Sequence, residues 1–464
     1  MKAEDRLTDL LRNTADSYTP LGGLAEIEDK VAHRQRTRRI RRVALPVVAA
    51  AVIAAVAVPL ALRGGEHHSQ RVVNVPPVTT VPQPEPDATQ APAAAKPTGS
   101  PPTVFRGPPG GPVPPGFLAT SVSFVSPLTG WVLGSAPCAS PPCTSILRTT
   151  DGGRTWRGIP APKVPLSSPN GSLAATSLRF ADTRNGFAFN PGLWTTHDGG
   201  AHWRQVESVA GISPAFVSHL EVTPDGVYAI VEGAVSVGGS DGHGRLVRGD
   251  PHGDDFVVVH DFGPNGVNSL AVGGRTVYTT LEIGPGATGV QLARFDGQRF
   301  TTRAVPDPTC LSMAPSSAAN LLILCGQGEM SGSFGSRTLY GSTNGGDTWT
   351  KLPDPGQGAG WTTTGVSDAS GGHAAIATSN AAGAGLLVTT DGAQHWRETL
   401  HLDNTGGVYW GDLGFENQST GVVIFGPYEA AAVQQGGSPG PSGGGTLYRT
   451  TDGGVTWSKV SFSA

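Results

Sequence analysis

Apolar residues follow three different patterns along this chain, and each pattern predicts a different kind of structure. Between Val43 and Leu62 they run together for 20 uncharged, almost wholly apolar residues. At 1.5 Å rise per residue, a helix of that length spans about 30 Å, one hydrocarbon core. Ahead of it, apolar residues recur at helical spacing in two short stretches. These are Leu7, Leu10 and Leu11, then Leu24, Ile27 and Val31 beyond the Tyr18-Thr19-Pro20 break. From Phe117 onward the apolar residues fall into short runs closed by Gly, Asp, Asn and Ser clusters, which predicts strands and hairpins.

The strand pattern repeats. Five octets share the form Ser/Thr-x-Asp/Asn-x-Gly-x-Thr/His-Trp: Thr149 to Trp156, Thr196 to Trp203, Ser342 to Trp349, Thr389 to Trp396 and Thr450 to Trp457. Ala393 is the one departure at the glycine. Each octet reads as a tight hairpin. The carboxylate or amide of Asp151, Asp198, Asn344, Asp391 or Asp452 accepts hydrogen bonds from its own turn. Glycine takes the positive-φ position. Trp156, Trp203, Trp349, Trp396 or Trp457 then buries a large ring between neighbouring sheets. Two weaker copies, Leu246 to Phe256 around Asp250 and Leu292 to Phe300 around Asp296, complete steps of 47, 52, 46, 48, 47 and 61 residues. A second hairpin precedes each octet, as in Phe124 to Trp131, Phe180 to Phe187 and Phe415 to Val422. Two hairpins per unit make four strands, and seven units predict an all-β, seven-bladed propeller over residues 117–464. Whether Phe117 to Thr120 instead completes blade seven stays open at this level.

These octets resemble the Asp-box, or bacterial neuraminidase repeat. Paired with the preceding F-x-D-like turn, they are similar to the photosystem II assembly-factor propellers and their bacterial relatives. The likeness covers about 345 residues. It implies the propeller fold and says little of function, because such propellers serve as glycosidases, receptors and scaffolds alike. In sialidases, as the resemblance implies, the Asp-box turns sit on the face away from substrate, so their role is structural. Sialidase chemistry needs three arginines, a Tyr–Glu nucleophile pair and an acid Asp. The family's Arg-Ile-Pro motif is missing where the first blade opens, at Phe117 to Val122. No catalytic residue is therefore assigned, and a glycan hydrolase of sialidase-like fold is the alternative reading.

Charge and composition place the remaining parts. Six arginines from Arg34 to Arg42 precede the apolar run, and only Arg63 and Arg71 follow closely. By the positive-inside rule residues 1–42 form a cytoplasmic, partly helical tail, and 43–62 are a single transmembrane helix in the cell membrane. Everything after it is extracytoplasmic. A cleaved signal peptide is the rival reading, and both the leading region and the apolar run are long for one. Fourteen prolines between Pro76 and Pro115 mark residues 63–116 as a disordered, Pro-rich stalk. Extended, it would reach on the order of 100 Å. The tail carries ten Lys/Arg against seven Asp/Glu (10 − 7 = +3) and the remainder 22 against 29 (22 − 29 = −7). That acidic remainder gives no electrostatic reason to expect nucleic acid. The tail also resembles those of membrane-anchored anti-sigma-like proteins, although it has no cysteine for their zinc motif. A cytoplasmic regulator and a signalling receptor are the corresponding partner and role.

All four cysteines lie beyond the apolar run, where disulfides persist. Local pairing is expected, Cys138 with Cys143 and Cys310 with Cys325, although four cysteines allow three connectivities. No cofactor or metal is expected. Asp241, His243, Asp250, His252, Asp254 and Asp255 make a polar cluster, but a glycine-rich solvated loop explains it. Arg248-Gly249-Asp250 spells an adhesion tripeptide inside a weak octet. Binding is expected instead on the long Gly-, Ser- and Pro-rich loops at the face opposite the octets. There the candidates are Glu232, Asp241, His243, Glu282, Glu329, Arg337, Trp361, Tyr409, Trp410, Tyr428 and Glu429. The expected role is a binding or scaffold module for an extracytoplasmic protein or cell-wall glycan.

Overall fold

The computed structural model describes residue 105 and residues 107–462, except 140–142, 167–173, 236–238, 241–242, 284–288, 327–337, 354–361, 371, 380–382, 404–407 and 428–444. These residues form seven antiparallel sheets in chain order, each built from consecutive strands. Their first strands are Leu118–Phe124, Ala175–Phe180, Ala215–Thr223, Gly266–Gly273, Cys310–Pro315, Thr362–Ser370 and Val408–Phe415. The first strand of each sheet lies against that of the next, and the seventh returns to the first. The sheets are therefore blades around a central channel, a seven-bladed propeller. Blade 3 carries an extra two-residue strand, Gly239–Ser240, on the end of its second strand.

Burial explains which runs are most apolar. The second strands are covered on both faces by the adjoining blades, so they read as the most apolar runs. Leu321–Cys325 is buried along its whole length, whereas the outer Ser458–Lys459 is exposed. Aromatic rings fill the seams between blades. Trp131 of blade 1 stacks on Phe180 of blade 2, with centroids 3.8 Å apart, and Trp203 meets Phe180 edge-on.

Blade 7 supplies its own four strands, so Leu118–Phe124 is the inner strand of blade 1 and no strand is exchanged. The ring closes between blades 7 and 1 through side chains and one short bridge. Ala119 and Gly445 exchange two backbone hydrogen bonds. Phe462 packs edge-on against Phe117 and Trp156. Arg449 donates to the carbonyls of Gly152 and Pro127 and pairs with Glu416.

The last residues of the sequence-predicted stalk pack on this body. Gly111 exchanges backbone hydrogen bonds with Gly158 on the outer strand of blade 1, and Phe105 lies under the Arg184 guanidinium. Pro- and Gly-rich chain reads as linker in sequence, yet an edge strand can still pair with it. The predicted tail, span and most of the stalk lie outside the described residues. Among those described, no helix is long and apolar enough to cross a membrane.

Both cysteine pairs are bonded locally, Cys138–Cys143 and Cys310–Cys325. The second joins directly opposed residues on the first two strands of blade 5.

Candidate functional site

The five octet hairpins share one bonding scheme. The first hydroxyl, as in Thr149, donates to the Asp carboxylate two residues on (2.8 Å) and accepts the N–H of the second glycine position (2.9 Å). The same carboxylate accepts the N–H of the Thr or His four residues on and bonds its side chain. Asp151 does so with Thr155, Asp198 with His202, Asp391 with His395 and Asp452 with Thr456. In blade 5 Asn344 accepts the Thr348 N–H and donates its own amide to the Thr348 hydroxyl (2.8 Å). The backbone N–H of His395, then its imidazole, holds the Asp391 carboxyl well below the usual carboxylate range. Both carboxylate oxygens of this acid are engaged within its own turn.

The turns centred on Asp250 and Asp296 are also hairpins, joining Arg245–Gly249 to Phe256–Asp261 and Gly289–Phe295 to Phe300–Ala304. The polar cluster around the first is paired off across the seam to blade 2. His252 lies 3.0 Å from Asp250 and 3.4 Å from Asp182, and Asp254 pairs with His197 and Arg204. Among the described residues no group of three or more His, Cys, Asp or Glu could hold a metal ion. Arg248 and Gly249 belong to the third strand of blade 3, where Arg248 donates to the Asp225 carbonyl.

A cavity of about 520 Å³ occupies the channel on the octet side, lined by residues of all seven first strands. Its charged wall crosses four blades. Arg179 of blade 2 pairs with Glu221 of blade 3 at 3.2 Å and with Asp412 of blade 7 at 3.5 Å. Asp412 also accepts the Val122 N–H of blade 1 at 2.7 Å. A register shift between Gly411 and Gly414, with Asp412 at φ 46°, turns this side chain toward its partners. Burial alone would lower the Arg179 pKa; Glu221 and Asp412 outweigh it and hold the guanidinium above its ordinary value. His219, two residues before Glu221, faces the same side of its strand, and burial pushes its pKa down to about 4. Glu416 is raised by burial, partly offset by Arg449.

None of Arg179, His219, Glu221, Asp412 and Glu416 was predicted from sequence as a site. The available signal was a charged residue alternating with apolar ones on an inner strand, as in Leu178-Arg179-Phe180.

The predicted loop-face residues fare differently. Glu232 and Glu282 lie in the later part of the second strands of blades 3 and 4, partly exposed, and His243 stands 3.9 Å from Asp261. Tyr409 and Trp410 are placed by backbone alone, in the inner strand of blade 7. Asp241, Glu329, Arg337, Trp361, Tyr428 and Glu429 lie outside the described residues.

No protein-family model matches this chain, and no curated protein matches it either. Solved structures do. A puromycin-hydrolyzing peptidase from Mycobacterium tuberculosis is 15% identical with a TM-score of 0.51, over 74% of this chain and 54% of that one. A puromycin hydrolase is 14% identical with a TM-score of 0.50, over 74% of this chain and 53% of that one. YCF48 bound to D1 peptide is 16% identical with a TM-score of 0.47, over 73% of this chain and 95% of that one. The chain thus spans about half the length of the two hydrolases. At these identities the likeness is one of fold, the β-propeller.

Proposed function

We propose that this chain is an Asp-box propeller, tethered to the cell membrane by residues 43–62 and displayed outside it, that binds a protein or cell-wall glycan without transforming it. The observation that carries this reading is the state of the channel carboxylates. Glu221 is paired with Arg179, Asp412 with Arg179 and the Val122 N–H, and Glu416 with Arg449. Glycoside hydrolysis needs two carboxyl groups about 5–10 Å apart, one free to donate a proton and one free to attack or activate water. In the channel Glu221 and Asp412 are spent on joining blades, and Glu416 on holding Arg449 within blade 7. The shared bonding scheme of the five octets supports the Asp-box assignment.

The test is a glycan-binding and hydrolysis screen on the full chain in detergent, with sialosides and cell-wall sugars as substrates. Binding without turnover is the expected result. Turnover abolished by Glu232→Gln or Glu282→Gln would make the chain a hydrolase and overturn the reading. A C-terminal alkaline phosphatase fusion, active only outside the cytoplasm, checks the orientation. An inactive fusion beside a well-expressed chain would reverse the orientation.

A further inference from the structure

Beside the first glycine of each octet there is a gap, bounded by a turn carbonyl of the same blade. In four of the five octets a flat group fills it, as the surroundings of a Cβ built on each glycine show. At Gly152 that Cβ would stand 3.0 Å from the Pro127 carbonyl oxygen and 3.0 Å from Arg449 Nη1. At Gly199 the neighbours are the Thr183 oxygen at 2.9 Å and the Phe105 ring at 3.1 Å. At Gly345 they are the Ala318 oxygen at 3.0 Å and Arg294 Nη1 at 2.8 Å. At Gly453 they are the Gln418 oxygen at 2.9 Å and the His373 imidazole at 2.8 Å. The fifth such glycine, Gly392 of blade 6, lines a half-open cavity of about 270 Å³ between blades 5 and 6.

One residue explains the difference. The third strands of blades 5 and 7 read Thr338-Leu339-Tyr340-Gly341-Ser342 and Thr446-Leu447-Tyr448-Arg449-Thr450. Gly341 pairs with Leu322 and Thr350 in the register that Arg449 keeps with Val422 and Ser458. Gly341 thus stands where blade 7 places the arginine that fills the next gap. The backbone does not require glycine there. Gly341 is absent from the positive-φ positions, and a Cβ would meet the Leu352 side chain first, at 3.2 Å. A glycine inside a strand weakens it, and commonly marks a place where another group approaches closely. The seam is incompletely filled in a second respect. The indole N–H of Trp396 has no partner among the described residues, whereas those of Trp156, Trp203, Trp349 and Trp457 all reach a carbonyl.

We propose that this cavity receives an arginine side chain from a protein partner, in the position Arg449 takes between blades 7 and 1. Leu322, Leu352 and Ala374 line the cavity with apolar side chains, and Thr343 and Thr350 line it with hydroxyl-bearing ones, which can accept from a guanidinium. A lysine ammonium, compact and strongly hydrated, matches such a slot poorly. Among the described residues no Asp, Glu, Lys or Arg lines the cavity. None of those that do line it would pair with the ammonium and carboxylate of the free amino acid, which favours an arginine within a polypeptide. The site lies on the octet face and stands whether or not the opposite loops bind a ligand.

The test is saturation-transfer NMR on the full chain in detergent, using Gly-Gly-Arg-Gly-Gly and its lysine and citrulline counterparts, with free L-arginine. Transfer to the arginine δ-methylene protons of the peptide is expected, with the other three weaker by about fivefold or more, the loss of one charge-assisted hydrogen bond or more. Gly341→Arg, which supplies the missing side chain from within, should abolish the signal and leave the thermal unfolding midpoint unchanged or raised. Thr350→Trp, which covers the cavity from the outer strand, should abolish it as well and decides the matter should Gly341→Arg fail to fold. Equal signals from lysine or citrulline peptides, or an arginine signal that survives in the folded variants, would overturn the proposal. Free arginine matching the peptide would overturn its assignment to a protein partner.

Discussion

The two glycines of an octet look alike in sequence, but they meet different surroundings. A Cβ on the first would press on a backbone carbonyl at 2.9–3.0 Å in all four hairpins where it can be placed. On the second it meets side-chain atoms, such as the Trp156 ring at 3.4 Å from Gly153. The chain's one departure, Ala393 at φ 65°, falls at the second position, where a side chain can yield and a carbonyl cannot. Gly152→Ala should therefore cost about 2 kcal/mol or more, and Gly153→Ala about 1 kcal/mol, mostly the left-handed backbone conformation itself. Denaturant midpoints of the two variants check the order, and equal costs would contradict it. His219 sets a pH dependence. Its folded-state pKa of about 4 lies below the ordinary 6.5, so the unfolded chain binds its proton more readily. The stability it contributes is complete above pH 6.5 and falls away as pH drops toward 4. His219→Gln should show a shallower loss of unfolding midpoint between pH 7 and pH 5 than the unaltered chain, and identical slopes would remove His219 as the cause.

Hairpins and blades were largely legible in the sequence, because each is local and each carries its own chemistry. The octet around Asp151 holds itself through bonds spanning two to four residues, so its fold is written in eight adjacent letters. Even the weak copies at Asp250 and Asp296 kept enough acid and glycine to be placed, and both are hairpins. The end of the stalk was misread for a related reason: Gly111 pairs with Gly158 across 47 positions, and composition alone cannot show that. The disulfides, also local, differ in what they support. Cys138 is exposed, and its bond closes a loop of sequence separation 5. Cys310 and Cys325 are buried and their bond spans 15 residues across the first hairpin of blade 5. Mild reductant should therefore open Cys138–Cys143 first with little change in stability. Replacing both Cys310 and Cys325 by alanine should cost about 3 kcal/mol, the chain-entropy value for such a loop. Mass spectrometry of alkylated protein gives the order of reduction, and a preferential loss of Cys310–Cys325 would contradict the burial argument.

The closure of the ring was the part the sequence could not show, because its partners lie far apart along the chain. Asp412 and Val122 are separated by 290 positions, and Arg449 and Pro127 by 322. A repeat predicts how many blades there are and leaves open what fastens the last to the first. With no strand exchanged, that task falls to the Ala119–Gly445 bridge, the Arg449 contacts and the charged channel wall. Asp412 is the joint of that wall, since from blade 7 it bonds both Val122 of blade 1 and Arg179 of blade 2. Replacing it with alanine leaves the Val122 N–H and the Arg179 guanidinium each short of a partner, at a cost of about 2–3 kcal/mol. Asp412→Asn keeps an acceptor for Val122 while removing the charge, and should cost about half as much. The loss should also be local before it is global. Amide hydrogen exchange at Val122 and along Leu118–Phe124 should quicken in Asp412→Ala while the inner strand of blade 4, Gly266–Gly273, keeps its protection. Uniform quickening around all seven blades would mean that the ring fails as one unit, and that Asp412 is only one contact among many in holding it shut.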